Sequence, residues 1–335
     1  MKQIIILCWI SLPVLGQWIP QASNTTASFR AVSAIDKNTC WVGGSKGTIL
    51  RTIDGGNHWE SLKIEGAESL DFRDVHGFDA QNAVAMSAGE AEKGAAKIYK
   101  TTDGGQHWAL VFETNTKGVF FDGIDFWDSK NGIVFSDPIN GKWFILLSHD
   151  GGNSWQTVAP ENLPELQKGE AAFAASGTSL VIEGKKNAWI CTGGGSQARV
   201  FFSKNQGKTW QVSPTEIEAN QSSGLFGMKF LDKNKGMALG GDYANVNKDV
   251  ANVVTTVNGG KTWTLASHTN PVGLKECLGL LGKKLIAVGP SGTCSTSDFG
   301  QTWQSIDTSA YHAISCANGV CWAVGGKGII GKMTE

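Results

Sequence analysis

The chain is expected to be all-β, folded as a seven-bladed β-propeller, because an octet recurs six times and an inner-strand pattern recurs seven times along 335 residues. The octet reads "TIDGGNHW" from Thr52, "TTDGGQHW" from Thr101, "SHDGGNSW" from Ser148, "SKNQGKTW" from Ser203, "TVNGGKTW" from Thr256 and "TSDFGQTW" from Thr296. Its third residue falls at 54, 103, 150, 205, 258 and 298, and each step is about the length of one four-stranded blade. Composition agrees: 43 Gly and only 8 Pro suit many short strands with tight turns, and 13 Trp are unusually many.

The N-terminal stretch "MKQIIILCWISLPVLG" has one Lys, an apolar run and small or apolar residues at Val14 and Gly16. It reads as a secretory signal, residues 1–16, cut before Gln17, because the run is too short to span a bilayer. The expected product is one propeller domain over 17–335, periplasmic or secreted, soluble and monomeric. With 29 basic against 30 acidic side chains, neither nucleic acid nor direct membrane insertion is an expected partner.

The first unit shows the anatomy of a blade. "FRAVSAI" from Phe29 alternates as an innermost strand, "TCWVGG" and "TILRTI" follow as second and third, and "HWESLKI" is the outer fourth. The octet therefore spans the turn between the third and fourth strands. Inner strands recur as "DFRDV", "FFDGI", "AFAAS", "LFGMK", "LKECL" and "YHAIS", which makes seven inner strands against six octets. The C-terminal unit supplies only three strands. The missing fourth is found in "QWIPQAS" from Gln17, which sets Trp18 where the octets set their Trp and closes the ring by removing an unpaired edge. Pro20 suits an outermost strand, one side of which needs no donor.

Six cysteines follow the signal, without C-x-x-C spacing and so without metal-type pairing. "SCANGVC" reads as a hairpin on an Asn-Gly turn, in which Cys316 faces Cys321 at a non-hydrogen-bonded pair. A disulfide there suits an oxidising compartment; a pair of free buried thiols is the alternative.

The octet, preceded by strand residues such as "GTILRT", resembles the Asp-box repeat of sialidases and of the photosystem II stability and assembly factor-like propellers. Units such as "NTCWVGGSKGTILRTIDGGNHWESL" resemble the second group more closely. That resemblance implies an assembly factor holding a membrane-protein partner through an arginine-bearing surface, with Arg30 and Arg73 as the matching residues. The sialidase resemblance implies glycoside hydrolysis, with an arginine cluster for a substrate carboxylate and a tyrosine nucleophile. Four Arg and three Tyr are available, so Arg30, Arg73 and Arg199 with Tyr243 form the candidate set, and "FRAV" approaches the sialidase signature without its proline. Some relatives are loosely labelled oxidoreductases, but no nicotinamide or flavin signature is present and no cofactor is expected.

A site is normally singular, whereas the octet occurs six times around a ring, so it is expected to be scaffold. Asp54, Asp103, Asp150 and Asp298 would accept turn N–H bonds, and Asn205 and Asn258 replace them, which an acceptor role tolerates and a general acid role does not. Trp59, Trp108, Trp155, Trp210, Trp263 and Trp303, with Trp18, would seal the gaps between blades. His58, His107 and His149 lie in the same turns. His76, His268 and His312 lack helical i, i+4 partners, so no metal site is expected.

Function is expected on the opposite rim, where the loops differ from blade to blade. The equivalent inner-strand position reads Arg30, Arg73, Asp122, Phe173, Phe226, Lys275 and His312. Connections between second and third strands add Glu90, Asp137, Arg199, Asp242 and Tyr243. These side chains would form a mixed-charge mouth for a protein, peptide or glycan ligand, with no catalytic residue assigned.

Overall fold

The computed structural model describes residues 18–266, 271 and 273–335; the signal reading at 1–16, its cut before Gln17 and His268 lie outside them. Seven four-stranded antiparallel sheets are arranged as a propeller. In the first, Phe29–Ala34, Cys40–Gly44, Ile49–Thr52 and Glu60–Leu62 run from the channel outwards. The inner strand of each blade packs on that of the next, and Tyr311–Ala317 of the seventh returns to Phe29–Ala34.

Ring closure follows the sequence expectation. Ile19–Gln21 pairs with the last strand of the chain, Ile330–Thr334, in the register Ile19 to Lys332, Pro20 to Gly331 and Gln21 to Ile330. Trp18 fixes this short strand: its ring lies 5.1 Å from Tyr311 and its indole N–H donates to Thr293 Oγ1 at 3.1 Å. One aromatic thus ties the seventh blade to the sixth.

In all six octets the first residue's hydroxyl donates to the Asp or Asn at 2.8–3.0 Å, and the fifth residue's N–H donates back to that hydroxyl at 2.8–3.0 Å. The carboxylate or amide oxygen then accepts the N–H of the seventh residue, as from His58 to Asp54 at 3.0 Å and from Thr209 to Asn205 at 3.0 Å. Gly56 needs its freedom here, since its φ is +87°. Trp59, Trp155, Trp210 and Trp263 are buried between blades, whereas Trp108 and Trp303 are half-buried.

Cys316 and Cys321 are opposite each other on the hairpin and joined as a disulfide. Cys40, Cys191, Cys277 and Cys294 are free and buried.

One strand assignment differs from expectation. "AFAAS" is not an inner strand: the fourth blade begins at Leu180–Glu183, paired with Asn187–Cys191. Residues 172–179 leave the ladder after an isolated bridge from Ala171 to Gly193. Alternation of Phe173 with small residues imitates a strand, but Gly169 at φ +77° and the Gly177–Ser179 turn detach the segment from the blade.

Truncating Trp155, which lies edge-on to Phe126 at 5.8 Å, tests the sealing role of the octet Trp. We expect Trp155→Ala to cost about 3–5 kcal/mol in chemical denaturation, the range of large buried aromatics; an unchanged midpoint would contradict it.

A strapped channel mouth as the candidate functional site

The inner strands do not start smoothly. Register shifts occur between Phe29 and Ala31, Phe72 and Asp74, Phe121 and Gly123, Leu225 and Gly227, and Tyr311 and Ala313. The skipped residues are Arg30, Arg73, Asp122, Phe226 and His312. A bulge re-aims the side chain it carries, which is why charged residues recur at one position of otherwise apolar strands.

Two members of the sequence-derived set are displaced from it. In the sixth blade Cys277 pairs with Val288 as Ala31 pairs with Gly43, so Glu276 and not Lys275 holds the bulge-equivalent place. Lys275 is only 2 % exposed, its ammonium bonds Ser291 Oγ, and burial lowers its pKa. In the fourth blade Thr178 takes the place read as Phe173, because Leu180 pairs with Ile190 as Val32 pairs with Val42.

The mouth is a linked set of charges. His312 Nδ1 lies 2.7 Å from Glu276 Oε2, Arg30 lies 4.0 Å from the same oxygen, and Arg73 Nε donates to Asp71 Oδ2 at 2.8 Å. Burial, opposed by Glu276, lowers the Arg30 pKa, and the nearby charge of Arg73 lowers it further. Across these groups lies the segment 172–179, hereafter the strap. Arg73 Nη1 donates to the Ala174 carbonyl at 3.4 Å and Arg30 Nη1 to the Ala175 carbonyl at 3.1 Å. Ser176 Oγ donates to the Glu276 carbonyl at 2.9 Å, and Thr178 Oγ1 to Cys277 Sγ at 3.3 Å. Phe173 stacks on Phe226 at 4.2 Å and meets Tyr243 edge-on at 5.8 Å.

Beneath the strap, between Thr178 and Cys316, the channel holds a cavity of about 190 Å³ lined by Ser33, Asp74, His76, Asp125 and Lys229 among others. His76 Nδ1 lies 3.0 Å from Asp125 Oδ1. Asp74 accepts N–H bonds from Val75 and Ile124, each at 2.9 Å, yet burial raises its pKa to about 8, with the charge of Asp125 adding to the shift. Asp122 is raised by burial and by the charge of Asp137, and burial raises Asp137 to about 6 against the N–H of Ala172.

Arg199 does not join Arg30 and Arg73. Its guanidinium grips Glu170, 2 % exposed, through Nε at 2.9 Å and through Nη2, and Nη2 also donates to the Glu165 carbonyl at 3.0 Å. Each of the three arginines is committed to a different acceptor. Asp242 is held low chiefly by the hydroxyl of Ser222 at 2.7 Å, and Tyr243 stands 51 % exposed beside the strap. Glu90 is on the surface with Lys93, 2.9 Å away. Among the described residues no group of three His, Cys, Asp or Glu is placed to hold a metal ion, and no helix is long and apolar enough to cross a membrane.

Residues 12–112, which include the first two blades, match the family model described as photosynthesis system II assembly factor YCF48. The chain resembles the YCF48-type BNR propellers. A solved YCF48 bound to a D1 peptide superposes with TM-score 0.65 at 18 % identity, over 97 % of this chain and 100 % of that one. YCF48 from Cyanidioschyzon merolae gives TM-score 0.68 at 15 % identity, over 95 % and 99 %. The GH74 enzyme of Niastella koreensis shares the architecture at TM-score 0.55 and 13 % identity, over 92 % and 65 %. No curated protein matches the chain. At these identities the likeness carries the fold.

Two outcomes follow from the buried charges. Arg199→Ala strands the Glu170 carboxylate and should cost about 3–5 kcal/mol, whereas Arg73→Ala, on a half-exposed pair, should cost about 1 kcal/mol or less; equal losses in denaturant titrations would contradict the contrast. Asp74 binds its proton more tightly folded than unfolded, so its stabilising contribution is complete below pH ~4 and lost as pH rises to about 8. Melting temperature followed across that window should fall less steeply in Asp74→Ala than in the parent, and parallel curves would count against the raised pKa.

Proposed function

We propose that this chain is an exported, non-catalytic propeller that binds a protein or peptide partner on its non-repeating rim, in the manner of an assembly factor. The observation that carries the reading is the use made of Arg30 and Arg73. Both guanidiniums donate to consecutive main-chain carbonyls, Ala175 and Ala174, of a segment outside any ladder. A surface that already holds the main-chain carbonyls of a turn in this way is chemically suited to a peptide. The exposed ring of Tyr243 supplies an adjacent apolar contact of the kind that anchors interfaces. The likeness to YCF48, one structure of which is bound to a D1 peptide, supports the same reading.

Sialidase-type hydrolysis is less well supported, because the guanidinium of Arg199 is engaged by Glu170 instead of completing an anion site with Arg30 and Arg73. Export rests on the signal-like residues 1–16 and on the Cys316–Cys321 disulfide, which suits an oxidising compartment.

The direct test is calorimetric titration of a D1 peptide and a panel of unrelated peptides, with assay on sialoside and xyloglucan substrates alongside. We expect peptide binding that weakens at least ~10-fold, or ~1.4 kcal/mol, in Arg30→Ala/Arg73→Ala, with no glycoside turnover. Turnover of a glycoside, or peptide binding indifferent to both substitutions, would overturn the reading.

A further inference from the structure

We propose that the strap, residues 172–179, is a displaceable internal ligand: it occupies the mouth until a partner's peptide segment takes over Arg73 and Arg30. This deepens the peptide-binding reading and rests on it. Three observations carry it.

First, the strap is held as a ligand is held, by hydrogen bonds between side chains and its own or other blades' groups and not by a ladder. Arg30, Arg73, Glu276 and Cys277 belong to the first, second and sixth blades, and between the Ala171 bridge and the Leu180 pairing no main-chain ladder secures it. Second, its sequence, Ala-Phe-Ala-Ala-Ser-Gly-Thr-Ser, is built of small side chains, with Phe173 as the sole large apolar anchor. Little apolar area is therefore lost when it lifts. A Cβ at Gly177 would collide with the Asp74 carboxyl, so the strap lies against the cavity wall and its departure opens the cavity beneath. Third, the strap itself offers the two guanidiniums only neutral carbonyls, their carboxylate neighbours Asp71 and Glu276 belonging to the blades. A partner segment that offers the same carbonyls with a carboxylate beside them would gain charge-assisted bonds, which are roughly twice as strong.

The consequence is a tax on affinity: a site filled by its own chain binds in proportion to the fraction of molecules in which the strap is off. Cys277, 1 % exposed and touched by Thr178, reports that fraction in the native protein. Alkylation of the full chain at mildly alkaline pH, located by peptide mass, should modify Cys277 at least ~10-fold faster than Cys40, Cys191 and Cys294. Phe173→Ala should raise that ratio further. All four thiols reacting together, at the rate of global unfolding, would overturn the proposal whether or not any peptide binds.

The second arm uses the D1 peptide. Thr178→Cys sets a thiol against the native Cys277, and oxidation should tether the strap. We expect the oxidised variant to bind the peptide at least ~10-fold more weakly than its reduced form, with the parent indifferent to the same reductant, and Phe173→Ala to bind several-fold more tightly than the parent. Equal binding by tethered and free forms would overturn the strap while leaving the peptide-binding reading intact. Binding by none of the variants or the parent would remove that reading, and the alkylation ratio would still decide the strap.

Discussion

Everything in this molecule depends on closing the ring. Each blade is a sheet with two apolar faces, and those faces are buried only because a neighbour stands on both sides. A seventh blade of three strands would leave a row of unpaired backbone groups where the circle begins and ends. The strand Ile19–Gln21 fills that edge with three residues, and Trp18, wedged against Tyr311 and bonded to Thr293, holds it there. Closure makes stability a property of the whole circle, which lets single loops on one rim depart from the repeat.

The two rims divide the work accordingly. On one, six octets spend their polar side chains on their own turns, hydroxyl to carboxylate to main-chain N–H, leaving little for a ligand to use. On the other, bulges throw Arg30, Arg73, Asp122 and His312 out of apolar strands, and the long connection into the fourth blade folds back over them. The carboxyl groups trapped there explain one another's proton affinities. Asp74 sits between the strap and Asp125, and Asp122 sits against Asp137, so burial and like charge both favour the neutral acids.

Legibility in the sequence was uneven for physical reasons. Blade number, strand order, the closing strand and the Asn-Gly hairpin with Cys316 opposite Cys321 could be read because each follows from a local repeat or a turn with a fixed register. What could not be read is the residue at which an irregular connection enters its ladder. In the sixth blade the ladder begins with Cys277 opposite Val288, which makes Glu276 and not Lys275 the channel-facing place, and the alternation of Ala, Phe and Ser in "AFAAS" passes for a strand until the glycines at 169 and 177 are weighed. Arg199 looked like a companion to Arg30 and Arg73 because it is one of only four arginines. Its partner Glu170 lies 29 residues away in a connection without any pattern, so nothing local marks the pair.

The claim that the non-repeating rim is the working face is tested most directly by hydrogen–deuterium exchange on the full chain, with and without a bound D1 peptide. The account predicts altered exchange at residues 29–31, 72–74 and 172–179 and around Tyr243, with the octet turns from Asp54 to Asp298 unchanged. Protection centred on the octet turns, with the strap unaffected, would contradict it.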